Sequence, residues 1–183
     1  MKNNKKGFTL IELLVVILII GVLAGIAIPQ YKTSARKAQF SQLQPIVSSI
    51  LDAQNRYYVA NNHTFATEIE ALDVGLPGNY SRYYASNAGY QYTLSDGIIC
   101  SVELNGQWIT CALKDRMNLY LTVPQRTTVY TPYAGKRYCG ACSFDTSDQY
   151  NKFCQKLTGK NVPDQTNYMM IGDYFCTAKF YQF

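Results

Sequence analysis

Glu12 and six cysteines are the residues of this 183-residue chain whose type and setting ask for chemistry. Glu12 is the lone charge between Phe8 and Ile28, a run in which every other residue except Thr9 is apolar or small. A carboxylate inside an apolar membrane helix costs roughly 2.5–3.5 kcal/mol on insertion scales, and a cation beside it removes much of that cost. Glu12 therefore calls for a positively charged partner. Cys100, Cys111, Cys139, Cys142, Cys154 and Cys176 raise three readings: redox, zinc and structural bridges. A redox pair at Cys139-x-x-Cys142 would follow a strand and open a helix in a βαβ unit, and no such alternation surrounds it. Zinc held by Cys139, Cys142, Cys154 and Cys176 meets gaps of 11 and 21 residues, in a compartment where cysteines bridge. An even count in an exported chain reads as disulfides.

The remaining polar groups carry less. His63 is the only histidine, so no Ser-His or Cys-His pair has a choice of bases, and its place at a helix end reads as a solvated loop residue. Asp145, Asp148, Asp164 and Asp173 lack the dense Asp-x-Asp-x-Asp-Gly spacing of a calcium loop. Lys114, Arg116, Arg126, Lys136 and Arg137 lie near tyrosines, as in a single-strand binding track, but Asp115 interrupts them. The formal charge of +5 falls to +2 without Lys2, Lys5 and Lys6, because 14 basic residues then face 12 acidic ones. Such a balance does not argue for nucleic acid. No catalytic residue, metal or cofactor is expected, and the chain reads as structural.

The element that must position Glu12 is a membrane helix. Phe8–Ile28 is 21 residues long, and ~20 apolar residues cross a bilayer core of ~30 Å. A secretory signal would have a shorter apolar region and a cleavage site behind it, whereas this run continues into Gln30-Tyr31-Lys32. Lys2, Lys5 and Lys6 hold the N-terminus in the cytoplasm and send the rest outward. Pro29 predicts a kink or local melting near Gly25–Pro29, and Gly21 and Gly25 give the small-xxx-small spacing of close helix contact. From Gln30 to Asn62 the pattern turns amphipathic, with Ala35, Phe40, Leu43, Val47, Ile50, Leu51, Tyr57 and Tyr58 near helical spacing. Pro45 predicts a second bend and Asn61-Asn62 a left-handed stop.

The cysteines need a sheet. Residues 63–89 read as a loop with a short helix at Thr67–Leu72, and strands are predicted at Gly89–Ser95, Ile98–Leu104, Gln107–Leu113 and Met117–Val123. Asn105-Gly106 is a two-residue hairpin signal that sets Val102 against Ile109 and Cys100 against Cys111. That register puts Cys100 and Cys111 on one face at ~5.5 Å, the spacing of a hydrogen-bonded pair and within a disulfide's reach. Val102, Ile109 and Leu113 share this face, which is the core candidate, while Ser101, Glu103, Trp108 and Thr110 take the other. Residues 138–154 read as a loop and a short helix starting near Ser147, and Met169–Phe175 as one further strand. The fold class is α+β: a long N-terminal helix on a small antiparallel sheet with a disulfide-rich C-terminal region.

Lys6–Leu13 (Lys-Gly-Phe-Thr-Leu-Ile-Glu-Leu), the short basic leader and Pro29 resemble the start of a type IV prepilin or a type II secretion pseudopilin. The resemblance implies cleavage after Gly7 by a prepilin peptidase, N-methylation of Phe8, and pairing of Glu12 with the N-terminal amine of a neighbouring subunit. It implies a leader at 1–7, a transmembrane and assembly helix at 8–29, an amphipathic half at 30–62 and a globular head at 63–183. The implied partners are other pilin subunits and an inner-membrane assembly platform. The implied location is the inner membrane, single-pass, and after assembly a surface pilus or a periplasmic pseudopilus. The task is that of a filament subunit, with a secretion pseudopilin and a membrane-anchored minor pilin binding DNA or a ligand as alternatives. The resemblance of Tyr138-Cys-Gly-Ala to the opening of a pilin C-terminal loop favours Cys139 with Cys154 and Cys142 with Cys176, and the reverse pairing stays open. Six cysteines depart from the single loop typical of the family.

Overall fold

The computed structural model describes residues 7–85, 89–102, 108–113, 119–124, 134–143, 149–171 and 174–183. The chain divides into two compact units, one ending at Ala38 and one from Gln39 to Phe183.

The first unit holds most of helix α1, Leu10–Ser41. Its apolar side chains are exposed among the described residues: Leu10 is 81% exposed, Ile17 60% and Ile20 59%. The helix passes the length and hydropathy required of a membrane span. It stays helical through Pro29, so of the kink or local melting expected near Gly25–Pro29 the melting does not occur, and the Thr33 hydroxyl donates to the Pro29 carbonyl at 3.0 Å.

The second unit begins within α1 and continues into α2, Leu43–Ala60. The interruption falls at Gln42, whose N–H bonds the Gln39 carbonyl at 3.2 Å, about one turn before Pro45. A proline crowds the residue four before it, here Ser41, so the break lies where the ring acts and not at the ring itself. Phe40, Leu43, Ile46, Val47, Ile50 and Ala53 are buried along one stripe. The helix stops at Asn61, with Asn62 and His63 both left-handed (φ 52° and 62°). The His63 N–H reaches back to the Tyr58 carbonyl at 2.9 Å, the long bond of a Schellman stop.

Eight antiparallel strands form one sheet in the order β1-β2-β3-β4-β5-β6-β8-β7. They are β1 Tyr80–Ala85, β2 Gly89–Leu94, β3 Ile98–Val102, β4 Trp108–Leu113, β5 Leu119–Pro124, β6 Tyr138–Ser143, β7 Gln165–Ile171 and β8 Tyr174–Gln182, with α3 at Gln149–Thr158. Gly97 (φ 84°) closes a three-residue turn between β2 and β3, its N–H on the Leu94 carbonyl at 2.9 Å. Helix α2 packs on β4 and β5, and α3 on β6 and β8.

Several elements differ from expectation. Strand β1 occupies what reads as loop, because Ser81 and Arg82 break the apolar alternation. Strand β6 also replaces a loop: Cys139, Gly140, Ala141 and Cys142 are not β-branched and gain strand geometry only from pairing with β5 and β8. The single strand at Met169–Phe175 is two, since Ile171 pairs with Tyr174 across a two-residue connection. Thr67–Leu72 contributes only a 3₁₀ turn at Ile69–Ala71. Asn105-Gly106, Leu104, Met117 and Ser147 lie outside the described residues.

Candidate assembly site and disulfide framework

Leu10 opens α1, which makes Thr9 the residue flanking the helix and Glu12 the third residue inside it. The Thr9 N–H donates to Glu12 Oε2 at 2.7 Å, the Thr9 hydroxyl donates to the same oxygen at 2.7 Å, and the Glu12 N–H donates to Thr9 Oγ1 at 3.3 Å. This is a capping box, in which Thr and Glu three apart satisfy each other's orphan N–H groups. Thr9-x-x-Glu12 carries that signal in the sequence, where the carboxylate's cost in an apolar medium overshadows it and points to a distant partner. Oε2 takes both donors, and Oε1 has no partner among the described residues.

Phe8 is 75% exposed, and a Cβ built on Gly7 meets nothing within 4 Å. The same holds at Gly21 and Gly25. Glycine inside a helix costs about 1 kcal/mol relative to alanine, and no described residue of this chain supplies a steric reason for it.

In the head, Cys100 is bonded to Cys111 across β3–β4 and Cys139 of β6 to Cys154 of α3. The Cys100–Cys111 Cα separation is 4.1 Å. That is the spacing of a close, non-hydrogen-bonded pair and not the ~5.5 Å expected, in keeping with the shorter reach such a pair asks of a bridge. The register itself is as derived, with Val102 against Ile109 and Cys100 against Cys111. Cys142 is also disulfide-bonded, and the side chain of Cys176 lies outside the described residues. Cys139 and Cys142 are three apart on one strand, so their thiols leave opposite faces, and Cys139 is already engaged with Cys154. Neither a Cys-x-x-Cys redox pair nor a four-thiolate cluster fits that arrangement.

The sheet's second face is covered as well. Ser101, Trp108 and Thr110 are buried; Trp108 packs on Phe180 at 5.7 Å, and the Thr110 and Thr122 hydroxyls meet at 3.1 Å. Polar ties that the sequence did not reveal bind loops to helices. Gln54, fully buried, donates from Nε2 to the Ala66 carbonyl at 2.8 Å. Arg56 grips Asp73 through two bonds of 2.8 Å, and the guanidinium holds that carboxyl below the usual range. Arg82 pairs with Glu70 and Glu68 and lies 4.3 Å over the Tyr90 ring.

The remaining candidates are scattered. Asp164 is taken by Lys160 at 2.7 Å and by the Gln182 N–H at 2.7 Å. Lys136 and Arg137 border a cleft with Gln44, Gln182 and Phe183. His63 is exposed, with its ring edge-on to Tyr58 at 5.0 Å. Asp145, Asp148, Asp173, Lys114, Arg116 and Arg126 lie outside the described residues.

A capped, exposed apolar helix long enough to cross a membrane, followed by a disulfide-bonded head, defines the class: an α+β protein led by one apolar helix. Residues 2–28 match the prokaryotic N-terminal methylation motif. The chain is 35% identical over 106 residues to a fimbrial protein of Moraxella nonliquefaciens, covering 55% of this chain and 65% of that one. It is 31% identical over 98 residues to a type IV wide pilus major component of Thermus thermophilus (52% and 75%), and 37% identical over 79 residues to a type IV major pilin protein of Neisseria gonorrhoeae (43% and 36%). The chain thus spans less than two thirds of the Moraxella and Neisseria proteins. No solved structure matches it. The chain belongs to the type IV pilin family.

Proposed function

We propose that this protein is a structural subunit of a type IV pilus-like filament, cut after Gly7 by a prepilin peptidase, N-methylated at Phe8 and assembled with other pilin subunits by an inner-membrane platform. Before assembly the Phe8–Pro29 segment holds it in the inner membrane with the N-terminus in the cytoplasm. The observation that carries this reading is the Glu12 carboxylate on a helix of membrane-spanning length whose apolar side chains are exposed among the described residues. Its cost in an apolar medium is met when the ammonium created at Phe8 of a neighbouring subunit lies beside Oε1, while Oε2 keeps the Thr9 cap. The open space at Gly7 is consistent with a requirement set by a peptidase, and that at Gly21 and Gly25 with close approach of neighbouring helices. Addition of copies head to tail through unlike surfaces gives an open filament and not a closed ring.

Glu12→Leu tests the role. The variant should enter the membrane at least as well as wild type, since a charge is gained or lost at roughly 3 kcal/mol at the helix centre and less near its end. Filaments in the sheared-cell fraction should drop or vanish. Wild-type filament yield from Glu12→Leu contradicts the pairing, and loss of protein export on deletion, with no filaments in wild-type cells, points to a secretion pseudopilus instead.

A further inference from the structure

A cleft of about 610 Å³ opens in the head where the end of α2 meets Ala134 and Gly135, within the size of small-ligand sites. Tyr58 and Phe65 form its aromatic wall, stacked at 4.4 Å, and Asn55, Val59 and His63 stand at its rim. His63 is presented there by the left-handed helix stop, a conformation unusual for a residue with a side chain. We propose that this cleft binds a neutral sugar.

The lining chemistry selects that class. Asn55 and His63 offer an amide and an imidazole with no hydrogen-bond partner among the described residues, beside rings that present an apolar surface. A sugar matches both, with hydroxyls for the polar groups and a face of C–H bonds for the aromatic wall. An apolar side chain from a second copy would fill the volume but leave the amide and imidazole desolvated and unpaired, which is penalised. None of the described lining residues is an aspartate, glutamate, lysine or arginine, so a strongly charged ligand is not favoured over a neutral one. This site is independent of Glu12, and the test uses the dispersed subunit, so its outcome does not depend on filament assembly.

Saturation-transfer NMR of the full chain in a phosphocholine detergent, free of sugar headgroups, tests it with lactose, cellobiose and chitobiose as probes. At least one should receive saturation, strongest at its ring C–H protons. Tyr58→Ala should weaken binding about tenfold or more, equivalent to ~1.4 kcal/mol. Asn55→Ala removes an exposed amide with no hydrogen-bond partner among the described residues, and should weaken binding with no change in the circular dichroism spectrum. Tyr84→Ala, on β1, should bind as wild type. Transfer to none of the three, or transfer unchanged in both Tyr58→Ala and Asn55→Ala, overturns the proposal. Loss of filaments in Asn55→Ala with no sugar signal in wild type overturns it in favour of a contact between copies.

Discussion

The two units of this chain obey opposite relations between residue type and burial. In the head, apolar residues are inside: Phe40, Val47, Ile50, Ile109, Leu121 and Val123 are each fully buried. In the membrane half of α1, residues at least as apolar are outside, none of the most apolar 18-residue window being covered. The head carries its own solvent-excluding partners. The helix borrows them, first from lipid and then, on the reading proposed above, from neighbouring helices. The hydrophobic effect does not hold apolar helices together inside a bilayer, so small residues and a polar group must supply the specificity. Gly21, Gly25 and Glu12 are of those types.

That division predicts that substitutions in one unit leave the other unmoved. The largest effect should come from Phe40→Ala, which empties a site where the ring meets Phe153 at 5.6 Å and Phe183 at 6.4 Å. It should cost about 3–5 kcal/mol of head stability in denaturant unfolding, with membrane insertion unchanged. Ile19→Lys should do the reverse: roughly 2.5–3.5 kcal/mol against insertion, measured by glycosylation mapping, with the head's unfolding midpoint intact. A head that unfolds with Ile19→Lys would show that the two units are not independent.

Smaller effects are expected within the head. Replacing Cys139 and Cys154 together by alanine opens a loop of 15 residues and should cost up to about 3 kcal/mol. Calorimetry under non-reducing conditions reads this, and the loss should be larger than for any surface ion pair, Arg56–Asp73 included. Asp164 gives the smallest effect. Burial pushes its carboxyl up, but the Gln182 N–H and the Lys160 ammonium outweigh that and leave it below the ordinary range. A depressed folded value contributes stability above the unfolded pKa of ~3.9 and loses it as pH falls through the folded value. The Gln182 amide resonance should therefore move below about pH 4 in wild type and show no such step in Asp164→Asn.

The helix was legible because its signals are local and redundant: length, hydropathy and leader charges all lie within 30 residues. The β3–β4 register was legible because the Asn105-Gly106 signal in the sequence implies one pairing for every residue on either side of it. The β6 strand was not, since Cys139-Gly-Ala-Cys142 has no strand preference of its own and depends on β8, some forty residues later. The split into β7 and β8 was not legible either, because the apolar run of Met169, Met170 and Ile171 into Tyr174 and Phe175 reads as one strand. Gln54 and Asn55 show the limit at the sites: adjacent amides on α2, one buried against the Ala66 carbonyl and one at the rim of a cleft, differ only in what the fold brings to them.

In the proposed function the working subunit begins at Phe8. Intact-mass measurement of the protein from sheared filaments tests it most directly. The expected mass is that of a chain lacking residues 1–7, carrying one methyl group on Phe8 and six fewer hydrogens for three disulfides. A filament subunit that still begins at Met1 would contradict it.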